Sequence, residues 1–505
     1  MLKYALISVS DKTDIVFFAN ELYHLGYKIL ATGNTARLLS ENNINCIEIS
    51  KFTSSPEIFS GRVKTLNPKI FGGILMRRGN ESDVSEAEEN NISPIDIVCV
   101  NLYPFPLVVN RDDVTLEEKI ENIDIGGPSL IRASAKNFQS VSILTKPDQY
   151  SQFLDELRKG SVSIETRKKL AYEAFAYTSY YDTLIANYLE KEFNQPITDL
   201  RINLKSLVNL RYGENPHQTA QLFGDFDNYF DILHGKELSY NNIVDLTAAV
   251  ELVNDLPDNS CAIIKHTNPC GAAVGKDSTD SYLKALSCDP VSAFGGIVVF
   301  NSVVDDSCAY KLNELFLEII CAPQISESAF KILMEKKNRR IIICKKQLNK
   351  NELHIKSIPG GMLVQTQDDS CKESIKLNCV TEKKCSKEEI EELKFAWAVC
   401  KHTKSNAIVF TKDRKVIGVG AGQMSRIDSA KIAAAKAKHF GHDLNGAAAA
   451  SDAFFPFADG LLEIISHGIN SLIQPGGSVR DEEVIKTANE KNISMVFTGI
   501  RNFKH

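Results

Sequence analysis

No window of this 505-residue chain offers the run of about 18 uninterrupted apolar residues that a membrane-spanning helix requires. Basic residues are not in excess either. The 58 Lys and Arg are outnumbered by 64 Asp and Glu, for a net charge of −6, so only a local basic pocket is expected and nucleic acid is not an expected partner. The 12 cysteines include no C-x-x-C pair. Cys46, Cys99, Cys261, Cys321 and Cys400 lie in or beside apolar segments, as expected of reduced, buried thiols in a cytoplasmic protein. His439-Phe440-Gly441-His442 lacks a nearby third ligand, so no metal is expected. The opening MLKYALISVSDKTD lacks the length and cleavage site of a signal peptide and reads as a first strand. Gly418, Gly420 and Gly422 fit neither G-x-G-x-x-G nor the phosphate loop of ATPases. Pro269-Cys270-Gly271 lacks the H-x-E and P-C-x-x-C of a zinc deaminase. No low-complexity tract is present.

What the chain does have is alternation. KYALISV, YKILAT, NCIEIS, IDIVCVNLY and SVSILT are short, apolar and β-branched, and the first three are separated by helical segments. That pattern predicts an α/β fold with a parallel sheet covered on both faces. Ligands of such sheets bind outside the carboxyl ends of the strands, so the loops there carry the interest. One long helix is expected over 164–193, and a domain boundary near 197–201 after Pro196. The expected domains are 1–197 and 198–505.

A tripeptide appears twice. Lys265-His266-Thr267 and Lys401-His402-Thr403 lie 136 positions apart, each after an apolar run. A Lys beside a His at the end of a buried strand supplies a base and a fixed positive charge together. The repeat hints at one structural unit used twice.

In the first domain, Ser10 and Lys12 follow one strand, and Gly33, Asn34 and Thr35 follow the next. Hydroxyls, Gly and Lys at strand-to-helix turns suit a phosphate, although plain helix capping explains Ser10 and Asn34 equally. Arg62, Lys64 and Thr65 put two cations and a hydroxyl in one short segment, and Tyr103 ends a buried strand. Asp124 opens a Gly-rich turn into a helix that carries Arg132 and Lys136 on one face. Lys64, Tyr103, Asp124 and Lys136 are expected to converge on one anionic ligand. Each also has a structural reading, as an exposed Lys, a half-buried Tyr or a capping Asp.

In the second domain, Arg211-Tyr212-Gly213-Glu214-Asn215-Pro216-His217-Gln218 is dense in hydrogen-bonding groups and has no apolar period. Asp289–Gly296 is a Gly-ended loop entering a strand, and Ser451–Asp459 sets three Phe between two acids. Pro456 prevents regular structure there, so an aromatic wall for a flat ring is expected at least as much as core.

At these residues the chain is identified as resembling, over essentially its whole length, a family of bifunctional purine biosynthesis enzymes. Members join phosphoribosylaminoimidazolecarboxamide (AICAR) formyltransferase to IMP cyclohydrolase. The matching segments are SVSDKT, GRVKTLNP, NLYPF, DIGGPSLIRASAKN, RYGENPHQ, IIKHTNPCG, DPVSAFGGI, KSNAIV, GAGQMSRIDS, SDAFFPFADG and QPGGSVRD. The resemblance implies a methylglyoxal-synthase-like N-terminal domain. It also implies two cytidine-deaminase-like α/β units without zinc, at about 198–360 and 361–505, with the twin KHT segments as their echo. It implies 10-formyltetrahydrofolate as co-substrate, no metal, a homodimer with nucleotide and folate substrates, and a cytoplasmic location. Residue by residue, His266 matches the general base and Lys265 its partner. Arg211, Tyr212, Asn406, Arg426, Phe454 and Asp459 match substrate-binding positions. Lys64, Tyr103, Asp124 and Lys136 match the cyclisation site, and Ser10, Lys12, Gly33, Asn34, Thr35, Arg62 and Thr65 match nucleotide contacts. Asn67 stands where TLHP is common, so a role for that imidazole is lost; Glu318, Ala398 and Ala458 also vary. Two rival readings remain at this point: a lyase acting on a triose phosphate, and a nucleotide-sensing module without turnover.

Overall fold

The structure is a computed structural model that describes residues 2–109, 111, 113–348, 353–368 and 375–505. The chain divides into two compact units, Met1–Asn203 and Leu204–His505. Among the described residues no helix is long and apolar enough to cross a membrane.

The first unit is built on five parallel strands, β1 (Lys3–Ser8), β2 (Tyr27–Ala31), β3 (Cys46–Glu48), β4 (Ile97–Val100) and β5 (Ser142–Leu144). Their order is β3-β2-β1-β4-β5, and every pairing is parallel. The chain lays strands outward from β1 on one side, then returns to lay β4 on the other. The order therefore reverses between β1 and β4, and a crevice opens at their carboxyl ends. All four residues of Ile97–Val100 are buried, because helices cover both faces. The long helix Ile164–Glu192 packs on the helix Gly126–Lys136 and on β5. It starts at Ser163, whose side chain accepts from Thr166 N–H.

The second unit begins with a small hairpin, β6 (Ser206–Leu210) and β7 (Ala220–Phe223). Its main sheet has twelve strands. The first half contains β8 (Phe230–His234), β9 (Ser260–Lys265), β10 (Asn268–Val274), β11 (Ile297–Phe300), β12 (Ile319–Ala322) and β13 (Arg340–Cys344). A separate hairpin follows, β14 (Leu353–Ile358) with β15 (Gly361–Thr366). The second half contains β16 (Asn378–Cys379), β17 (Ile408–Lys412), β18 (Lys415–Gly420), β19 (Ala448–Ser451), β20 (Ser471–Gln474) and β21 (Ser494–Phe497).

The two halves repeat one topology. Read from the centre outward, one runs β10-β9-β11-β12-β13-β8 and the other β18-β17-β19-β20-β21-β16. The pairing directions also match, with two antiparallel pairs, two parallel pairs and an antiparallel edge. The halves join where β10 meets β18 at Ala273 and Lys415. The helices Tyr240–Asn254 and Lys387–Lys401 lead into the equivalent strands β9 and β17, and one apolar cluster containing both helices runs across the two halves.

The duplication is real, but the twin KHT segments do not mark it. Lys265 ends β9, and His266-Thr267 is the turn into β10. Lys401 instead ends a helix, with His402 as its C-cap. The counterpart of His266-Thr267 is Asp413-Arg414, the turn between β17 and β18. Both turns place two consecutive residues at positive φ, 53° and 60° in the first and 58° and 49° in the second. That is the backbone of a two-residue hairpin turn whose twist matches its strands. The tripeptide match is a coincidence of sequence between a strand end and a helix end.

Candidate active sites

In the first unit the loops after β1, β2 and β4 meet over the sheet. Asn101, just past β4, accepts from the N–H groups of Ser10 (2.6 Å) and Asp11 (2.9 Å) and donates back to Asp11 O (2.9 Å). Those bonds fasten the Ser10–Lys12 loop to β4. Lys12 folds its ammonium onto the carbonyls of Val9 and Ser10, at 3.3 and 3.5 Å. Ser8 and Thr32 share a 2.9 Å hydroxyl contact that ties the β1 and β2 loops together. Thr35 is buried and its hydroxyl faces the backbone of Val9, so it holds the frame. Asn34 accepts from Arg37 in the exposed first turn of the helix Gly33–Glu41.

Lys64 reaches the same place. Its Nζ lies 3.7 Å from where a Cβ on Gly33 would be, and a Cβ on Gly61 would meet Lys64 Cε at 2.5 Å. Glycine at 61 therefore admits the lysine stem, and its φ of +88° suits glycine as well. Thr65 Oγ1 lies 3.0 Å from the corresponding point on Gly126. Arg62 faces Glu121 at 3.4 Å, and Lys64 faces Glu57 at 3.5 Å. Asp124 accepts from Gly127 N–H (2.8 Å) and from the Tyr103 backbone N–H. Burial raises the Asp124 pKa and outweighs those two hydrogen bonds. The Tyr103 side chain stays half exposed at the mouth.

Lys136 does not join them within one chain. It is the last residue of the helix whose first residue, Gly126, adjoins Thr65. Eleven residues at 1.5 Å each place it about 15 Å along the axis. Its neighbour Asn137 caps the far end of the helix Pro68–Leu75 through Ile74 O (2.7 Å) and Met76 O (2.9 Å). Asn67 begins that helix and caps it, accepting from Lys69 N–H at 2.9 Å. Two tyrosines of the long helix were not visible as site residues in the sequence. Tyr177 OH accepts from Leu102 N–H (3.1 Å) and Tyr181 OH from Asp124 N–H (2.9 Å), which fixes the backbone on either side of the crevice.

In the second unit the His266-Thr267 turn is held by Asp245. That carboxylate accepts from Thr267 N–H at 2.7 Å and from His266 N–H at 3.3 Å. Lys265 donates to Phe294 O at 2.8 Å, which links the turn to the Asp289–Gly296 loop. Asn268 donates to His266 O (3.0 Å) and accepts from Lys404 N–H (3.0 Å), so the turn also reaches the segment before Asn406. The His266 ring is exposed and lines a cavity of about 300 Å³ with Lys265, Asn268, Asp289, Ser292 and Lys436. Asp289 is 4 % exposed and takes Lys436 Nζ at 2.7 Å. Burial would raise its pKa, but Lys436 and Ser292 together hold it low.

Asn406, Arg426 and Asp452 form one network. Arg426 donates to Asn406 Oδ1 and to Asp452 Oδ1, each at 2.8 Å, and to Phe454 O at 3.4 Å. Asp452 is fully buried and also accepts from Ser405 Oγ. The three Phe of Ser451–Asp459 split their roles: Phe455 is core, while Phe454 and Phe457 are exposed. Asp459 accepts from Gly460 N–H at 2.7 Å in the first turn of the helix Ala458–Ser466. Arg211 and Tyr212 lie beside the β6–β7 hairpin, the guanidinium 4.8 Å from the ring centre. Their loop is anchored by Asn241, which donates to Glu214 O at 3.2 Å from the helix that also carries Asp245. No group of three or more His, Cys, Asp or Glu among the described residues is placed to hold a metal, and His442 bonds Ser287 O instead.

Lys401 and His402 are interior residues. Both meet Asp255 Oδ2 at 2.9 Å, and Lys401 also donates to Asp368 O at 2.7 Å. Burial lowers the His402 pKa against the pull of Asp255, so the ring is neutral in the fold. An unfolded histidine titrates near 6.5. Below that pH the unfolded chain takes up a proton that the folded chain refuses, and stability falls. The denaturant midpoint is therefore expected to drop from pH 6.5 to pH 5, and less steeply in His402→Asn. An equal slope in both proteins would assign the effect elsewhere.

A parallel-sheet unit with cations and hydroxyls gathered at its strand ends, followed by a duplicated sheet with a Lys-His turn beside a cavity, is the architecture of a two-site enzyme. The chain belongs to the AICARFT/IMPCHase bienzyme family, whose pattern matches residues 134–436, while an MGS-like domain matches residues 14–129. It is 48% identical over 521 aligned positions to the bifunctional purine biosynthesis protein PurH of Chlorobium phaeobacteroides (strain BS1), covering 100% of this chain and 99% of that protein. Against PurH of Persephonella marina the identity is 47% over 518 positions, covering 100% of both.

Proposed function

We propose that this chain catalyses the last two steps of IMP synthesis. The second unit moves a formyl group from 10-formyltetrahydrofolate to the 5-amino group of AICAR, giving FAICAR, and the first unit closes FAICAR to IMP with loss of water. Membership of the bienzyme family over the full chain carries this reading. The amine of AICAR is conjugated with its ring and carboxamide and is a weak nucleophile. His266, on a turn pinned by Asp245, takes the amine proton as the nitrogen attacks the formyl carbon. Lys265 steadies the tetrahedral oxyanion or protonates the leaving folate nitrogen. Arg211, Tyr212, Asn406, Arg426, Phe454 and Asp459 bind nucleotide and folate.

Ring closure needs neither redox chemistry nor metal. The carboxamide nitrogen attacks the formyl carbon, and the carbinolamine then expels water. Asp124, whose pKa burial raises, serves proton movement at the departing hydroxyl, Lys64 the oxyanion and Tyr103 the reacting groups. Ser10, Lys12, Gly33, Asn34, Thr35, Arg62 and Thr65 surround the nucleotide. Lys136, remote from Asp124 in one chain, takes part only through a second subunit of the proposed homodimer. The enzyme is proposed to work in the cytoplasm.

The test is absorbance-monitored conversion of AICAR to IMP with 10-formyltetrahydrofolate as donor; absence of product from folded protein would overturn the reading. The apolar core of the first unit draws only on residues of that unit. A 1–203 fragment is therefore expected to cyclise added FAICAR without the formyl donor. A folded fragment that fails would assign part of that site to the second unit.

A further inference from the structure

Lys265 ends β9 with its ammonium on Phe294 O at 2.8 Å. A lysine ammonium carries three N–H donors, so this bond fixes its place and leaves two for a reacting oxygen or nitrogen. Whatever holds Phe294 O therefore decides where the charge of Lys265 lies.

Phe294 belongs to the loop Asp289–Gly296, between the helix Ser278–Leu286 and β11. The loop is tightly knotted through its backbone. Asp289 O accepts from Ala293 N–H at 3.1 Å, Ala293 O from Gly296 N–H at 2.9 Å, and Phe316 O from Gly295 N–H at 2.8 Å. A Cβ on Gly296 would come within 3.2 Å of the carbonyl of Ile264, the residue before Lys265, so glycine there lets the loop lie against β9. The Asp289 carboxylate caps the loop, accepting from Ser292 N–H at 2.8 Å and from Ser292 Oγ at 2.7 Å.

That carboxylate is 6% exposed, and a buried charge needs a partner. The partner comes from the other half of the sheet. Lys436 Nζ donates to Asp289 Oδ2 at 2.7 Å from the helix Arg426–His439, which packs on β18. The loop after this helix adds a second tie, with His442 Nε2 2.8 Å from Ser287 O. The second half thus grips the segment Ser287–Ser292 at two points. Lys436, Asp289 and Ser292 line the same cavity as Lys265 and His266. The helix also begins with Arg426, which holds Asn406 and Asp452 about 15 Å from Lys436 along the axis.

We propose that Lys436 is a positioning residue for formyl transfer: through Asp289 and its loop it fixes the ammonium of Lys265. The chemistry carried by β9 in the first half then depends on a helix of the second half. The inference rests on the reading that the second unit transfers the formyl group. Lys436 acts at one remove, and the reacting group meets Lys265.

The experiment measures formyl transfer by the full-length protein. Lys436→Met is expected to lower kcat about 10- to 100-fold, the size of effect that a displacement of about 1 Å produces. The Michaelis constants for AICAR and the formyl donor are expected to stay unchanged, whereas loss of a lysine that gripped substrate would raise one of them. Circular dichroism confirms that each variant folds. A double-mutant cycle then tests the route of action. Lys265→Met already removes the ammonium, so adding Lys436→Met to it is expected to cause no further loss. Should Lys436→Met fail to fold, Lys436→Gln keeps a donor for Asp289 and goes through the same cycle. A wild-type kcat in folded Lys436→Met, a raised Michaelis constant with kcat unchanged, or losses that multiply in the double variant would each overturn the inference and leave formyl transfer itself standing. Wild-type protein that transfers no formyl group would overturn the reading and this inference with it.

Discussion

His266→Ala is expected to cut formyl transfer by about 10²- to 10⁴-fold, the usual share of a positioned general base, while ring closure of added FAICAR continues at the wild-type rate. His266 is exposed and belongs to none of the apolar clusters, so its loss leaves no cavity. The backbone sets the one complication. His266 stands at φ 53°, a conformation that costs alanine more than asparagine. His266→Asn keeps the turn and removes the base, so both variants should lose the same activity. Parallel loss of both reactions in a protein that melts at the wild-type temperature would refute the assignment of one reaction to each unit. Restored formyl transfer in His266→Asn would refute the role of the imidazole.

Asp255→Ala is expected to be the most destabilising change in the second unit, at about 3 to 5 kcal/mol. Asp255 is 4% exposed at its side chain, and the partners it holds, Lys401 and His402, are 6% and 7% exposed. Removing it takes a carboxylate from a buried ammonium, which keeps Asp368 O at 2.7 Å and the Asp368 carboxylate at 3.9 Å. Asp255→Asn keeps a hydrogen-bond acceptor and should cost less. His402→Ala should cost less again and leave formyl transfer near normal, because its ring is neutral and lies in the interior. Equilibrium urea unfolding measures all three. A midpoint for Asp255→Ala equal to that of wild type would show that the buried pair stabilises nothing.

Much of the first unit was legible in the sequence, because fully buried strands such as IVCV and capped helices announce themselves over a few residues. The loops of its site were legible for a related reason. Glycines at 33, 61 and 126 beside hydroxyls and cations mark places where backbone must approach a side chain. The position of Lys136 relative to the others was not legible, because periodicity gives the face of a helix and says nothing about which end meets the ligand. Asp245 was invisible because it acts from an ordinary helical segment upon a turn distant in sequence. The duplication was legible as an idea and wrong in its evidence. Three matching letters suggested equivalence between a hairpin turn and a helix end, whereas the true counterpart of His266-Thr267 is Asp413-Arg414, which shares no letters with it. Backbone twist preserved the turn, and side chains there were free to diverge.

The register that carries Lys265 onto Lys412 also carries Asp255 onto His402, since each stands just beyond the equivalent helix, Tyr240–Asn254 or Lys387–Lys401. These two positions meet each other in the interior, at 2.9 Å. In an assembly of identical halves, a residue beside the two-fold axis faces its own copy, so an acid there would face an acid. Two halves within one chain are free of that restriction. One carries the acid, the other the imidazole, and the neighbouring Lys401 balances the charge. The halves have become complementary and have ceased to be interchangeable, so a chain carrying two first halves would bring aspartate against aspartate at its centre.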